Sequence, residues 1–241
     1  HKTATRFFQN FVFSKLTSAG VLFNPPALMA PLHAFYRDPS AEEAKARVMT
    51  ALATLRAKGQ GKCLLISKPD IPGEMYDGYP EHPEYLAMLR ELVPEARILY
   101  VARHPADWLH SAYRQSLVKG RGGPIETFLN YRDGTFKEKR AVFADGMRNM
   151  DARGFPVSSI YDHCVELFGR DRVVLICFEH VRSHKDDVLE CLRKLIGLPR
   201  LPHLEPDRVK NRSYSAQAIE RFCSGGATSY EPISFSDDGP S

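Results

Sequence analysis

The sequence predicts an α/β protein of three layers, with helices on both faces of a mainly parallel central sheet. Two patterns predict it. Short apolar runs rich in β-formers recur along the chain, and each is followed by a longer stretch with helical spacing of its apolar residues. Such strand-helix alternation is the signature of parallel strands buried on both faces. With 241 residues, 43% hydrophobic and 26% charged, the chain is long enough for one domain with a sizeable core.

The opening, His1-Lys2-Thr3-Ala4-Thr5-Arg6 before FFQNFVFSKL, reads as the amino end of an amphipathic helix, because Phe7, Phe8, Phe11, Val12 and Leu16 fall at helical intervals. Gly20 stops it. Val21-Leu22-Phe23 is a short strand ended by Asn24-Pro25-Pro26, and the segment to Pro39 is expected to be irregular. Ala41 to Lys58 is a helix with Val48, Leu52 and Leu55 apolar, Glu42, Glu43, Lys45 and Arg47 solvated, and Gly59 and Gly61 at its end. Cys63-Leu64-Leu65-Ile66 is the next buried strand. It delivers the loop SKPDIPGEMYDGYPEH, and Glu84 to Leu92 follows as a short helix.

The organising stretch is RILYVARHPADWLHSAY. Ile98 to Ala102 is a buried strand, so Arg103 stands at its carboxyl end, and Pro105 opens a helix from Ala106 to Val118 that carries Ser111 about two turns in. Ligands of open α/β sheets bind outside the carboxyl ends of the strands, where the planar fork of an Arg suits phosphate. An Arg tied to a surface carboxylate is the plainer alternative. A second anion signature shifts the balance: at the chain's opening a lysine, two threonine hydroxyls and unpaired helix amides converge on one point.

Lys119-Gly120-Arg121-Gly122-Gly123-Pro124 is a basic, glycine-rich loop suited to closing over an anion. Ile125 to Tyr131 and Ala141 to Met150 are expected helices with a polar stretch, Arg132 to Arg140, between them. Ser159 to Phe168 is a helix ended by Gly169, Val173 to Phe178 the last buried strand, and Asp186 to Ile196 an amphipathic helix stopped by Gly197. The domain is expected to span residues 1–224, with 225–241 a loose tail rich in Gly, Ser, Asp and Pro.

HKTAT opening a helix, Arg103 and Ser111 inside RHPADWLHS, and the later block YDHCVELFGRDRVVLICFEHV together resemble a sulfotransferase that uses 3′-phosphoadenosine 5′-phosphosulfate (PAPS), of the bacterial and Golgi carbohydrate type. The resemblance runs from Lys2 to about Leu198. It implies a P-loop-like fold in which a strand feeds directly into the phosphosulfate loop. Because the sequence begins within that loop, a fragment lacking the strand is the expectation. The resemblance further implies that Lys2, Thr3, Ala4 and Thr5 hold the 5′ end of the donor. Arg103 and Ser111 would hold its 3′-phosphate, and Tyr161 would sit near the nucleotide. Arg6 takes a place where the family usually has a second Thr or Ser, and Pro69 stands where a catalytic Glu is common. Asp70 is then the candidate base, with Glu74 as its alternative. Glu179 occupies the family's Tyr-Glu-like position at the strand end as a brace for loops. His33, Tyr36 and Arg37 are candidates for the acceptor pocket, and Asn211-Arg212-Ser213 resembles the family's Asn-x-Ser motif, with Lys210 beside it.

The net charge of +4 fits a nucleotide site and falls short of a nucleic-acid footprint. Cys63, Cys164, Cys177, Cys191 and Cys223 form no CxxC pair and read as small buried hydrophobes, with neither zinc site nor disulfide framework. No run has the length of a membrane span, no signal peptide is visible, and a cytoplasmic location is expected. The implied transfer is in line, needs no metal, and takes a carbohydrate or small-molecule acceptor. Two rivals stand beside it. A P-loop kinase also places a Lys and a hydroxyl at a helix start, but needs a GxxxxGK[ST] loop. A catalytically inactive relative would bind nucleotide or anionic glycan without turnover.

Overall fold

The computed structural model describes residues 3, 5–59, 62–69, 71–118, 123–138, 149–153 and 157–203, without the side chains of Val118 and Arg182. It is a mixed α/β protein, mostly helical, with small parallel sheets.

The opening segment is helical as its periodicity predicts, but in three forms. An α-helical turn, α1 (Thr5–Phe7), passes into a π-helix over Phe8–Phe13 and a 3-10 helix over Lys15–Ala19. The wider π turn brings residues five apart onto one face. Phe8 and Phe13 accordingly stack with ring centroids 5.5 Å apart, and they are buried with Val12 and Leu16. Phe7 and Phe11, which α-helical spacing would place at the heart of the apolar face, stack on each other half-buried. Gly20 ends the segment at φ 82°, a left-handed conformation that costs glycine least.

Strand β1 (Leu22–Phe23) pairs in parallel with β2 (Leu64–Leu65). Between them lie α2 (Pro26–Arg37) and α3 (Glu42–Lys58). The helix α2 corrects the expectation of an irregular segment to Pro39. Pro25 and Pro26 lie ahead of the first hydrogen-bonded turn, where a missing N–H is harmless, and Leu28, Leu32, Phe35 and Tyr36 are buried against α3. After β2 come α4 (His82–Leu92), β3 (Ile98–Ala102) and α5 (Pro105–Val118). The chain continues through α6 (Ile125–Phe128) into an antiparallel hairpin, β4 (Tyr131–Arg132) and β5 (Thr135–Phe136). The hairpin replaces the expected end of a helix at Tyr131, because Asn130 and Asp133 adopt positive φ and Asp133-Gly134 makes a tight turn. The helix expected over 141–150 lies almost wholly outside the described residues. Then follow α7 (Val157–Phe168), β6 (Val173–Cys177), α8 (Phe178–Ser183) and α9 (Lys185–Ile196). The last strand thus stops one residue short of expectation, with Phe178 opening a helix.

The expected single central sheet needs correction. Among the described residues β1–β2 and β3–β6 are two separate parallel pairs. They share one apolar layer: Phe23 and Leu65 from the first pair, and Leu99, Val101, Val174 and Ile176 from the second, all pack with the opening helical segment and with Val188 and Leu192 of α9. Alternate residues point the other way, as strand geometry requires. Ile98 and Tyr100 meet α5 and α7, while Leu64 meets α2 and α3. No helix of the described residues is long and apolar enough to cross a membrane. The four cysteines described, Cys63, Cys164, Cys177 and Cys191, are free thiols, and Cys177 is exposed rather than buried.

Leu16 is fully buried where the opening segment meets the strands. Leu16→Ala should lower unfolding free energy by about 2–5 kcal/mol in denaturant titrations, against under about 0.5 kcal/mol for the exposed neighbour Lys15→Ala. Equal effects would contradict this packing.

Candidate functional site

The β3–β6 pair runs in register to its end, with Ala102 opposite Cys177. The next residue on each strand therefore emerges beside the other. Arg103 places its guanidinium over the Phe178 ring, 4.5 Å from the centroid, a cation-π contact. Glu179 Oε1 accepts the His104 N–H at 3.2 Å, so the brace expected of Glu179 joins the loop after β3 to the start of α8. Pro105 then starts α5, and the Trp108 N–H donates to the His104 carbonyl at 2.9 Å.

Two cavities meet at Arg103. An open cleft of about 420 Å³ is lined by Arg103, Asp107, Phe178, Glu179 and Ser183. The Ser183 hydroxyl donates to the Glu179 carbonyl at 3.1 Å. A smaller cavity of about 30 Å³, room for about one or two waters, is lined among others by Thr3, Tyr79, Tyr100, Arg103, Trp108 and Ile160. Thr3 comes from the opening of the chain and Arg103 from the end of β3, so the two expected anion-binding stretches converge.

Partial burial is the first cause that holds His110 below the ordinary imidazole range; Arg114, one turn on, and Arg103 add to it, and Asp107 opposes them. Arg114 Nε is buried with no hydrogen-bond partner among the described residues. Burial also pushes the Tyr79 and Tyr100 phenols well above their usual range, which keeps both neutral beside the small cavity.

The other expected residues are placed less directly. Thr5 starts α1 half-buried, and Arg6 beside it is exposed. Ser111 is half-buried on α5, one turn beyond Asp107 and Trp108, and lines neither cavity. Tyr161 also lines neither: it packs on the core between α4, α5 and α7, and its hydroxyl accepts from Arg170 Nη1 at 3.1 Å. Glu74, the alternative base, accepts the Tyr76 N–H at 3.1 Å as a cap of the 3-10 turn Met75–Asp77. Of the acceptor-pocket candidates, Tyr36 is buried in the α2–α3 core, while His33 and Arg37 are exposed on α2. Lys2, Ala4, Asp70, residues 119–122, Lys210 and Asn211-Arg212-Ser213 lie outside the described residues.

Reasoning from sequence did not single out Tyr79, Trp108, Asp107 or Phe178 as site residues. The position of Phe178 directly after a strand parallel to the Arg103 strand was a usable signal; for Tyr79 there was none. Among the described residues no group of three or more His, Cys, Asp or Glu side chains gathers to hold a metal ion.

Because His110 sits below its ordinary value of 6.5 in the folded protein, the unfolded chain takes up its proton first as the pH falls. Stability linked to this group is complete above that ordinary value and declines as the pH drops through it toward the lowered one. Thermal unfolding followed from about pH 8 to about pH 5 should show an acid-side loss that is smaller in His110→Gln. Superimposable profiles would contradict the electrostatic assignment.

No protein-family model matches the sequence, and no curated protein matches it. Among solved structures, a sulfotransferase from Alicyclobacillus acidocaldarius is similar to this chain, with a TM-score of 0.46 and 15% sequence identity. The match covers 67% of this chain and 62% of that one, so the chain spans less than two thirds of that protein's length.

Proposed function

We propose that the protein is a sulfotransferase that moves a sulfuryl group from PAPS to an acceptor hydroxyl or amine. One observation carries this reading: Thr3 and Arg103, a hundred residues apart and each part of a stretch independently suited to an anion, line the same cavity. The site has the chemistry a doubly anionic nucleotide needs. Arg103 offers a planar fork held on Phe178, and the adjoining cleft of about 420 Å³ has room for a nucleoside portion.

In this reading Arg103 and Ser111 hold the 3′-phosphate, and Lys2, Thr3, Ala4 and Thr5 hold the 5′-phosphosulfate. Arg6 adds a cation at its edge, and Tyr161 supports the nucleotide side of the site from the core. The acceptor heteroatom attacks sulfur in line, forming the new bond to sulfur as the bond between sulfur and the bridging phosphate oxygen breaks. The leaving electron pair stays on that oxygen, where the Lys2 ammonium stabilises the developing charge. Asp70, in the loop after β2, takes the acceptor's proton. A carbohydrate or another small molecule is the favoured acceptor.

Adenosine 3′,5′-bisphosphate, the donor's product, should bind and raise the melting temperature, whereas ATP with magnesium should not. Arg103→Ala should weaken bisphosphate binding about tenfold or more. Lys2→Ala should reduce turnover of labelled donor on the order of a hundredfold. Equal bisphosphate affinity in wild type and Arg103→Ala, or stabilisation by ATP alone, would overturn the reading.

A further inference from the structure

The loop between β2 and α4 holds a residue that no motif predicts. Tyr79 has φ 60°, in the left-handed region that bulky side chains rarely adopt. Its neighbourhood shows what holds it there. The loop is wound tightly before it: Gly73 has φ 104°, and a Cβ at that position would run into Glu81 Oε2. The Tyr79 N–H donates to the Glu74 carbonyl at 3.0 Å, and the Tyr79 carbonyl accepts the His82 N–H at 3.2 Å. The side chain, 5% exposed, lies edge-on to Trp108, ring centroids 6.1 Å apart. Trp108 in turn sits on the first turns of α5, five residues after Arg103.

We infer that Tyr79 is a positioning residue of the nucleotide site: its edge-on ring contact with Trp108 holds the β2–α4 loop on α5 and so keeps Arg103 and Thr3 around their common cavity. Tyr79, Trp108, Arg103 and Thr3 all line that cavity. A backbone held in a costly conformation persists only where its surroundings over-determine it, and such residues gather where geometry matters for binding. An edge-on aromatic pair has a preferred geometry, which fixes the two rings and the elements bearing them in one relative placement.

The inference rests on the nucleotide reading above, and one set of measurements separates the two. Trp108 is the sole tryptophan of the chain, so its indole N–H gives a single resonance in nitrogen-15 correlated spectra. Tyr79→Leu, which removes the ring, should shift that resonance in the free protein and should weaken adenosine 3′,5′-bisphosphate binding, measured by calorimetry, roughly fivefold, whereas Tyr79→Phe, which keeps the ring, should bind like wild type. Trp108→Leu should weaken it to a similar degree as Tyr79→Leu. The double leucine variant should lose no more than either single one, because both remove the same ring pair. A role limited to folding would lower the melting temperature and move the resonance but leave affinity unchanged. Wild-type affinity in Tyr79→Leu, or additive losses in the double variant, would overturn this inference alone. A wild-type protein that binds no bisphosphate would overturn the functional reading and this inference with it.

Discussion

The in-register parallel pairing of β3 with β6 is the constraint from which the site follows. Five consecutive residue pairs, Ile98 with Val173 through Ala102 with Cys177, bring both strands to their carboxyl ends at the same level. The first residues past the ladder, Arg103 and Phe178, must then stand side by side. A slip of one residue would turn every side chain of a strand to the opposite face and separate the guanidinium from the ring. The register is secured from both sides. Leu99, Val101, Val174 and Ile176 pack into one apolar layer, and Ile98 and Tyr100 into the other. A polar contact at the edge of the molecule is thus set by the hydrophobic alternation of the strands beneath it.

The opening segment depends on the same layer. Its π and 3-10 turns bury Phe8, Val12, Phe13 and Leu16 against the strands and α9. That packing carries the residues just before it toward the strand ends, where Thr3 reaches the cavity shared with Arg103. Burial supplies the driving force, and the polar residues arrive where the apolar ones leave them. Glu179 and Tyr79 refine the placement from opposite sides. Glu179 ties α8 to the loop after β3, and the Tyr79 ring sets the β2–α4 loop against Trp108 on α5.

Electrostatics at the site are asymmetric. Partial burial, with Arg114 and Arg103, opposes protonation of His110 on α5, while Asp107 favours it. Asp107 and Glu179 also line the larger cleft. Glu179 accepts the His104 amide, so part of its acceptor capacity is committed to the backbone. The small cavity is bounded by tyrosines that burial keeps neutral, so the guanidinium faces neutral phenols on that side.

The amino-acid sequence by itself determined the strands and most of the helices. Continuous runs such as Ile98 to Ala102 and Val173 to Cys177, and stops such as Gly20 and Gly197, are local signals that short-range sterics and periodicity express. It also placed Arg103 at a strand end and marked the HKTAT opening. Only the tertiary structure decided that the parallel strands form two pairs, that residues 26–37 are helical, and that the opening helix widens into a π turn. Each of these depends on partners outside the segment itself: α2 on the face of α3, and the π turn on the layer that receives Phe8 and Phe13 together. Tyr79 shows the limit most clearly. Its left-handed backbone and its ring contact with Trp108 arise from a loop closing on a helix that begins some twenty-five residues later, and no spacing within the chain encodes that approach.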